Sequence, residues 1–134
     1  MPFARLTIAD PGLAEHTQRE LVHAITGLLE SDLHKEREVV VCHVNLVPAE
    51  QWYLATRHAA GATGAHLEVS ITAGTNTTED KAAFLGNAYT AIERALGTLP
   101  DAAYVALYEL DGQSYGYNGI SQTERKRRNP DEKD

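Results

Sequence analysis

Shifted by 63 residues, the sequence lies on itself in register without a gap. Leu6 and Ile8 fall on Val69 and Ile71. Leu21, Val22, Ile25, Leu29 and Leu33 fall on Phe84, Leu85, Ala88, Ile92 and Leu96, and residues 39–44 fall on 102–107. The agreement is in apolar pattern, hardly in identity. Such self-similarity marks a repeated supersecondary unit, and two copies are too few for a solenoid. With 134 residues in all, the chain has room for one core, so the unit is expected twice inside one domain.

Each copy runs through the same order of periods: a short alternating stretch, a helical stretch and a second short apolar run. That order spells β-α-β and implies parallel strands within each copy. In the first helical stretch the apolar positions 21, 22, 25, 28, 29 and 33 share a face, with Glu15, Arg19, Glu20 and Glu30 opposite and Asp10-Pro11 as the expected start. The second opens at Thr77-Thr78-Glu79-Asp80, a capping hydroxyl followed by acids, and stops near Gly97. The expected architecture is an α/β (α+β) fold: a four-stranded sheet with two helices on one face. The run Val39-Val40-Val41-Cys42 is apolar on both alternating faces, so the face away from the helices should also be dry, and an oligomer is expected. Repeat one is placed at 2–47, a connector at 48–65, repeat two at 66–110 and a turn-rich ribbon at 111–120, together a single domain over 1–120. Residues 121–134 are read as a charged, mobile tail, and the basic run Arg125 to Arg128 as solvated.

A formal charge of -7 has the wrong sign for a protein that covers nucleic-acid phosphates. No apolar run approaches the roughly 20 residues that span a bilayer, and Met1 to Arg5 has no secretory apolar region, so the expectation is a cytoplasmic protein without nucleic-acid or membrane partners. Cys42 is the single cysteine and the six histidines are scattered, which leaves no metal site in the pattern. Neighbouring Cys42 and His43 point to opposite faces of a strand and cannot act as a pair, so Cys42 is read as a core thiol and His43 as a sheet or interface residue.

Walker, GxGxxG, HExxH and GxSxG motifs are all missing from the sequence. Pro2 is what remains. Methionine is removed efficiently before proline, and the mature chain would then begin with a secondary amine on a rigid ring. Apolar surroundings and nearby cations would let that amine act as a general base near neutrality.

Pro2 followed at once by a strand, the β-α-β unit in duplicate, and the ribbon Tyr115-Gly116-Tyr117-Asn118-Gly119 together resemble the tautomerase superfamily, typified by 4-oxalocrotonate tautomerase. The resemblance covers residues 2 to about 120. Residues from Arg94 to Gly119 are similar to the second half of its short members, which ends in Phe-Gly-x-Gly-Gly. The doubled length is similar to its fused members, among them cis-3-chloroacrylic acid dehalogenase and malonate semialdehyde decarboxylase. The resemblance implies a tautomerase/MIF-like fold, a homotrimer, no cofactor, and a small carbonyl or enol substrate. It gives Pro2 the catalytic role and Tyr115 the aromatic wall of the pocket, with Tyr117 two residues on.

The carboxylate-binding arginines of the family do not carry over. Their places meet Gly12 or Leu13, Thr75 or Asn76, Val41 and Tyr104, and no arginine lies between Arg57 and Arg94. Tyr104 is therefore a candidate substrate contact at one such place, and Arg57, on the connector, a substitute cation. The acidic residue of the decarboxylase would fall near Val39, with Glu38 one step out of register. The expected activity is keto-enol tautomerisation with Pro2 as base. The alternatives are the same pocket with a cationic Pro2 as acid in hydration, dehalogenation or decarboxylation, and a non-catalytic trimer that binds a partner.

Overall fold

The computed structural model describes residues 1–133. Strands β1 (Phe3–Ile8), β2 (Val41–Leu46), β3 (Ala65–Thr72) and β4 (Tyr104–Leu110) form one sheet in the order β2-β1-β3-β4. Within each copy the strands are parallel, β1 with β2 and β3 with β4. Between the copies, β1 and β3 meet antiparallel at the centre, from Phe3 opposite Ser70 to Ile8 opposite Ala65. Helices α1 (Glu15–Ser31) and α2 (Thr78–Leu96) lie together on one face. Each therefore serves as the crossover that parallel strands require.

The core follows from strand alternation and helical spacing. Ala4, Leu6 and Ile8 of β1 and Leu67, Val69 and Ile71 of β3 turn towards the helices. There they meet Leu21, Ile25 and Leu29 of α1 and Phe84, Ala88 and Ile92 of α2. Val40, Cys42, Val105 and Leu107 pack at the edges of the same cluster. The other face is left open in the single chain: Val41 is 51% and Tyr104 67% exposed, with Tyr108 and Leu110 beside them.

Helix α2 begins where the sequence indicates. The Thr77 hydroxyl accepts from the Asp80 N–H, the Asp80 carboxylate accepts from the Thr77 N–H, and Gly97 ends the helix at φ 84°. Three local expectations need correction. Helix α1 starts at Glu15 after Ala14, not at Asp10, whose carboxylate instead accepts from Gly12 N–H at 3.0 Å in a turn of its own. The apolar run at 39–42 splits: residues 37–39 form a 3-10 turn, and β2 pairs only from Val41.

The tail from residue 121 is also different. Ser121 Oγ accepts from Glu124 N–H and starts a helix, α3 (Gln122–Arg128), whose first residue is buried. Lys126, Arg127 and Arg128 are exposed, whereas Arg125 is half-buried. Its guanidinium lies 3.7 Å from the centre of the Tyr117 ring and donates to the Tyr117 carbonyl at 2.8 Å. Ahead of α3, β5 (Gly116–Tyr117) and β6 (Ile120–Ser121) make a hairpin. Its two turn residues, Asn118 and Gly119, have φ of 52° and 82°, the pairing that an Asn-Gly turn favours.

Candidate active site at the amino-terminal end of the sheet

Pro2 sits just ahead of β1, and its side chain is fully buried. By alternation it shares the helix-facing side with Ala4 and Leu6. Its carbonyl accepts from Val41 N–H at 3.3 Å, which ties the chain start to β2. Met1 precedes it and is 8% exposed.

Tyr115 is brought to this same end by the ribbon. Its hydroxyl donates to the Ser70 carbonyl at 3.1 Å and accepts from the Phe3 N–H. Because Phe3 and Ser70 are partners across β1 and β3, the phenol closes the ladder at the point where the strands run out. Burial raises the Tyr115 pKa above its ordinary value, against a smaller opposing effect of the Phe3 N–H. The Tyr115 ring is thus fixed beside the residue that follows Pro2.

One further cation, Lys35, is buried. It follows α1, is 1% exposed, and its Nζ donates to Thr75 Oγ1 at 2.8 Å. That hydroxyl in turn donates to the Thr72 carbonyl at 2.7 Å. Thr72 lies two residues beyond Ser70, so the ammonium is anchored to the strand end that faces Met1 and Pro2. Asn76 reinforces the anchor, donating to the Leu33 carbonyl at 2.9 Å. Lysine is rarely so buried, which makes it a functional candidate. Sequence reasoning missed it because its neighbours, His34, Glu36 and Arg37, are charged or polar and mimic a solvated turn.

The remaining candidates do not join this group within one chain. Tyr117 is adjacent, with its ring under Arg125. Tyr104 opens β4 opposite His66, near the far end of β1, and contacts the His66 ring edge-on at 6.4 Å between centroids. Arg57 lies on the connector at that same far end, where its backbone closes a turn with Leu54 through bonds of 2.7 and 3.0 Å. Six strand residues, roughly 20 Å, separate that end from Pro2. The far end has its own hollow of about 260 Å³, walled by Trp52, His58 and Gly64. There Trp52 packs so closely on Gly64 that any side chain at 64 would collide with the indole.

Cys42 is half-buried, and desolvation raises its thiol pKa, which agrees with a packing role rather than a reactive one. His43 is exposed on the open face. Among the described residues, no cluster of three or more histidines, cysteines or carboxylates is placed to hold a metal ion. None of their helices is long and apolar enough to cross a membrane.

The architecture, a duplicated β-α-β unit with a mixed four-stranded sheet and a carboxy-terminal hairpin, is one that solved structures share. A fused 4-OT symmetric trimer superposes with a TM-score of 0.82 at 22% identity, over 92% of this chain and 98% of that one. Pt0534 inactivated by 2-oxo-3-pentynoate gives 0.80 at 16%, over 90% and 96%. A macrophage migration inhibitory factor-like protein from Entamoeba histolytica gives 0.72 at 15%, over 90% and 97%. No protein-family model and no curated protein sequence matches the chain. The chain has the tautomerase fold of the fused 4-OT and MIF-like proteins.

Proposed function

We propose that the chain is a tautomerase-superfamily enzyme, a cofactor-independent isomerase that interconverts the keto and enol forms of a small carbonyl compound. With Met1 removed, the Pro2 amine takes a proton from the carbon or enol oxygen of the substrate and returns it at the other end of the conjugated system. The observation that carries this reading is that Pro2 is buried where β1 begins, at the end of the sheet to which the Tyr115 hydroxyl is bonded and to which the Lys35 ammonium is linked through Thr75 and Thr72. Burial disfavours protonation of an amine, which supports Pro2 as base rather than acid. The ammonium is also suited to holding the oxygen that gains negative charge as the enolate forms.

The proposal extends to a cytoplasmic homotrimer in which the open sheet face of each chain is covered by its neighbours. The support is the exposed Val41, Tyr104, Tyr108 and Leu110, together with the trimeric fused 4-OT of the same fold. In such an assembly Tyr104 and Arg57 reach a substrate only from a neighbouring copy. With phenylenolpyruvate as substrate, Pro2→Ala should lower the rate more than tenfold; equal rates would discard the base assignment. A buried Met1 favours the binding-protein alternative only if it persists in the purified chain, which an intact mass reads directly.

A further inference from the structure

The 63-residue register continues through the connector. Trp52 falls on Tyr115, Ala55 and Thr56 fall on Asn118 and Gly119, and Gly64 and Ala65 fall on Met1 and Pro2. The geometry follows the register: Leu54 and Arg57 pair antiparallel as Tyr117 and Ile120 do. The turn residues between them have φ of 49° and 70°, against 52° and 82° in the ribbon. Alanine and a β-branched threonine thus hold a left-handed turn that suits Asn-Gly. The two bonds between Leu54 and Arg57 keep it closed, as do the Tyr53 and His58 rings, whose centroids lie 4.7 Å apart. The connector is a second copy of the carboxy-terminal hairpin, and the far end of the sheet is laid out like the proline end without the amine.

The chemistry of the two ends differs in sign. The counterpart of Lys35 is Thr98, whose carbonyl accepts from the Thr63 N–H at 3.0 Å, and the counterpart of Gln113 is Glu50. Trp52, Glu50 and His58 wall the hollow of about 260 Å³ together with small residues such as Ala9, Ala49 and Gly64. Among the described residues no lysine or arginine borders it, and Glu50 is its one carboxylate. His58 is fixed by donating from Nε2 to the Glu50 carbonyl at 2.8 Å. The indole is seated on backbone, since an added Cβ at Gly64 would lie 2.4 Å from three atoms of its five-membered ring.

We propose that this hollow is a second, non-catalytic binding site, and that it takes a small alkylammonium ion. An aromatic side chain and a carboxylate between small walls are what a compact organic cation needs. An acid would meet only like charge there. The ordinary amide nitrogen of Ala65 leaves no base at this end, so the ligand is held and not turned over.

Trp52 is the single tryptophan, so its fluorescence reports on the hollow. The test titrates the full chain with choline and with 3,3-dimethylbutan-1-ol, which has the same shape without the charge, at constant ionic strength. Choline should bind about tenfold more tightly. Glu50→Gln keeps the carbonyl that holds His58 and should weaken choline about threefold while leaving the alcohol unchanged. A flat signal, equal affinities, or a Glu50→Gln chain that binds choline as wild type does overturns the proposal. So does an equal response to sodium chloride, which would mark a general salt effect. The site stands apart from the proline end: Pro2→Ala should leave the choline affinity unchanged whatever it does to tautomerisation, and a loss of choline binding there would move the ligand to the proline end and overturn the second site.

Discussion

At the scale of single residues, the amino-terminal end of the sheet depends on two side chains that do unlike jobs. Tyr115 completes backbone hydrogen bonding that the strands leave open, so Tyr115→Phe deprives the Ser70 carbonyl and the Phe3 N–H of their phenol partner. The loss should be about 1 kcal/mol, read as a lower denaturation midpoint in urea with an unchanged slope. Lys35→Met keeps the bulk and removes the charge. In a tautomerase assay it should reduce kcat/KM at least about tenfold with the far-ultraviolet circular dichroism unchanged, and kinetics like those of wild type would take Lys35 out of the site. Pro2 and Tyr115 were legible because each has a distinctive sequence setting, one at the chain start and the other in a glycine-aromatic ribbon. Lys35 was not. Its ammonium donates to Thr75, 40 residues on, and a contact at that distance leaves no mark on the local pattern.

At the scale of elements, the sequence was most readable where local chemistry and tertiary packing agree. The capping box at Thr77 and the glycine stop at Gly97 satisfy the helix ends without outside help, so the bounds of α2 follow from short-range rules. The start of α1 does not, because Asp10 has a competing use in its own turn. Helix α3 was hidden for a different reason: a run of like charges reads as solvated, yet Glu124 accepts from both Arg127 and Arg128 and Arg125 stacks on Tyr117. Those bonds, Arg127 first and then Arg128, pull the Glu124 pKa from 4.5 to about 2. A depressed carboxylate pKa contributes stability that is fully present above the unfolded value and lost as pH falls through the folded one. Amide exchange in α3 should therefore quicken relative to the core between about pH 4.5 and pH 2, and Glu124→Gln should abolish that difference; a pH-independent α3 would show that the pairing has no influence on it.

At the scale of the whole molecule, the open sheet face is the largest unresolved demand of the single chain. The alternation that places Cys42, Val105 and Leu107 under the helices places Val41 and Tyr104 outside, and this division of faces could be read directly from the strand period. The order β2-β1-β3-β4 could not, since apolar pattern fixes which side a residue faces but not which strand lies beside which. Val41→Glu puts a charge into the proposed contact and should yield monomers or insoluble protein. A wild-type mass of about 15 kDa by light scattering, with Val41→Glu soluble and unchanged, would end the trimer proposal.

The antiparallel meeting of β1 and β3 gives the sheet an approximate two-fold axis between them, and the two ends that this axis exchanges are not chemically equal. One begins at Pro2. The other begins 63 positions later at Ala65, inside the chain, where the nitrogen is an amide with no basic lone pair. A unit repeated within one chain thus has a free terminus at only one of the two ends, and the other end has another form: here Gly64 lies under Trp52 in a hollow walled by the connector. If Met1 is removed as proposed, an assembly of three such chains would carry three prolyl amines, where six half-length chains each beginning with proline would carry six.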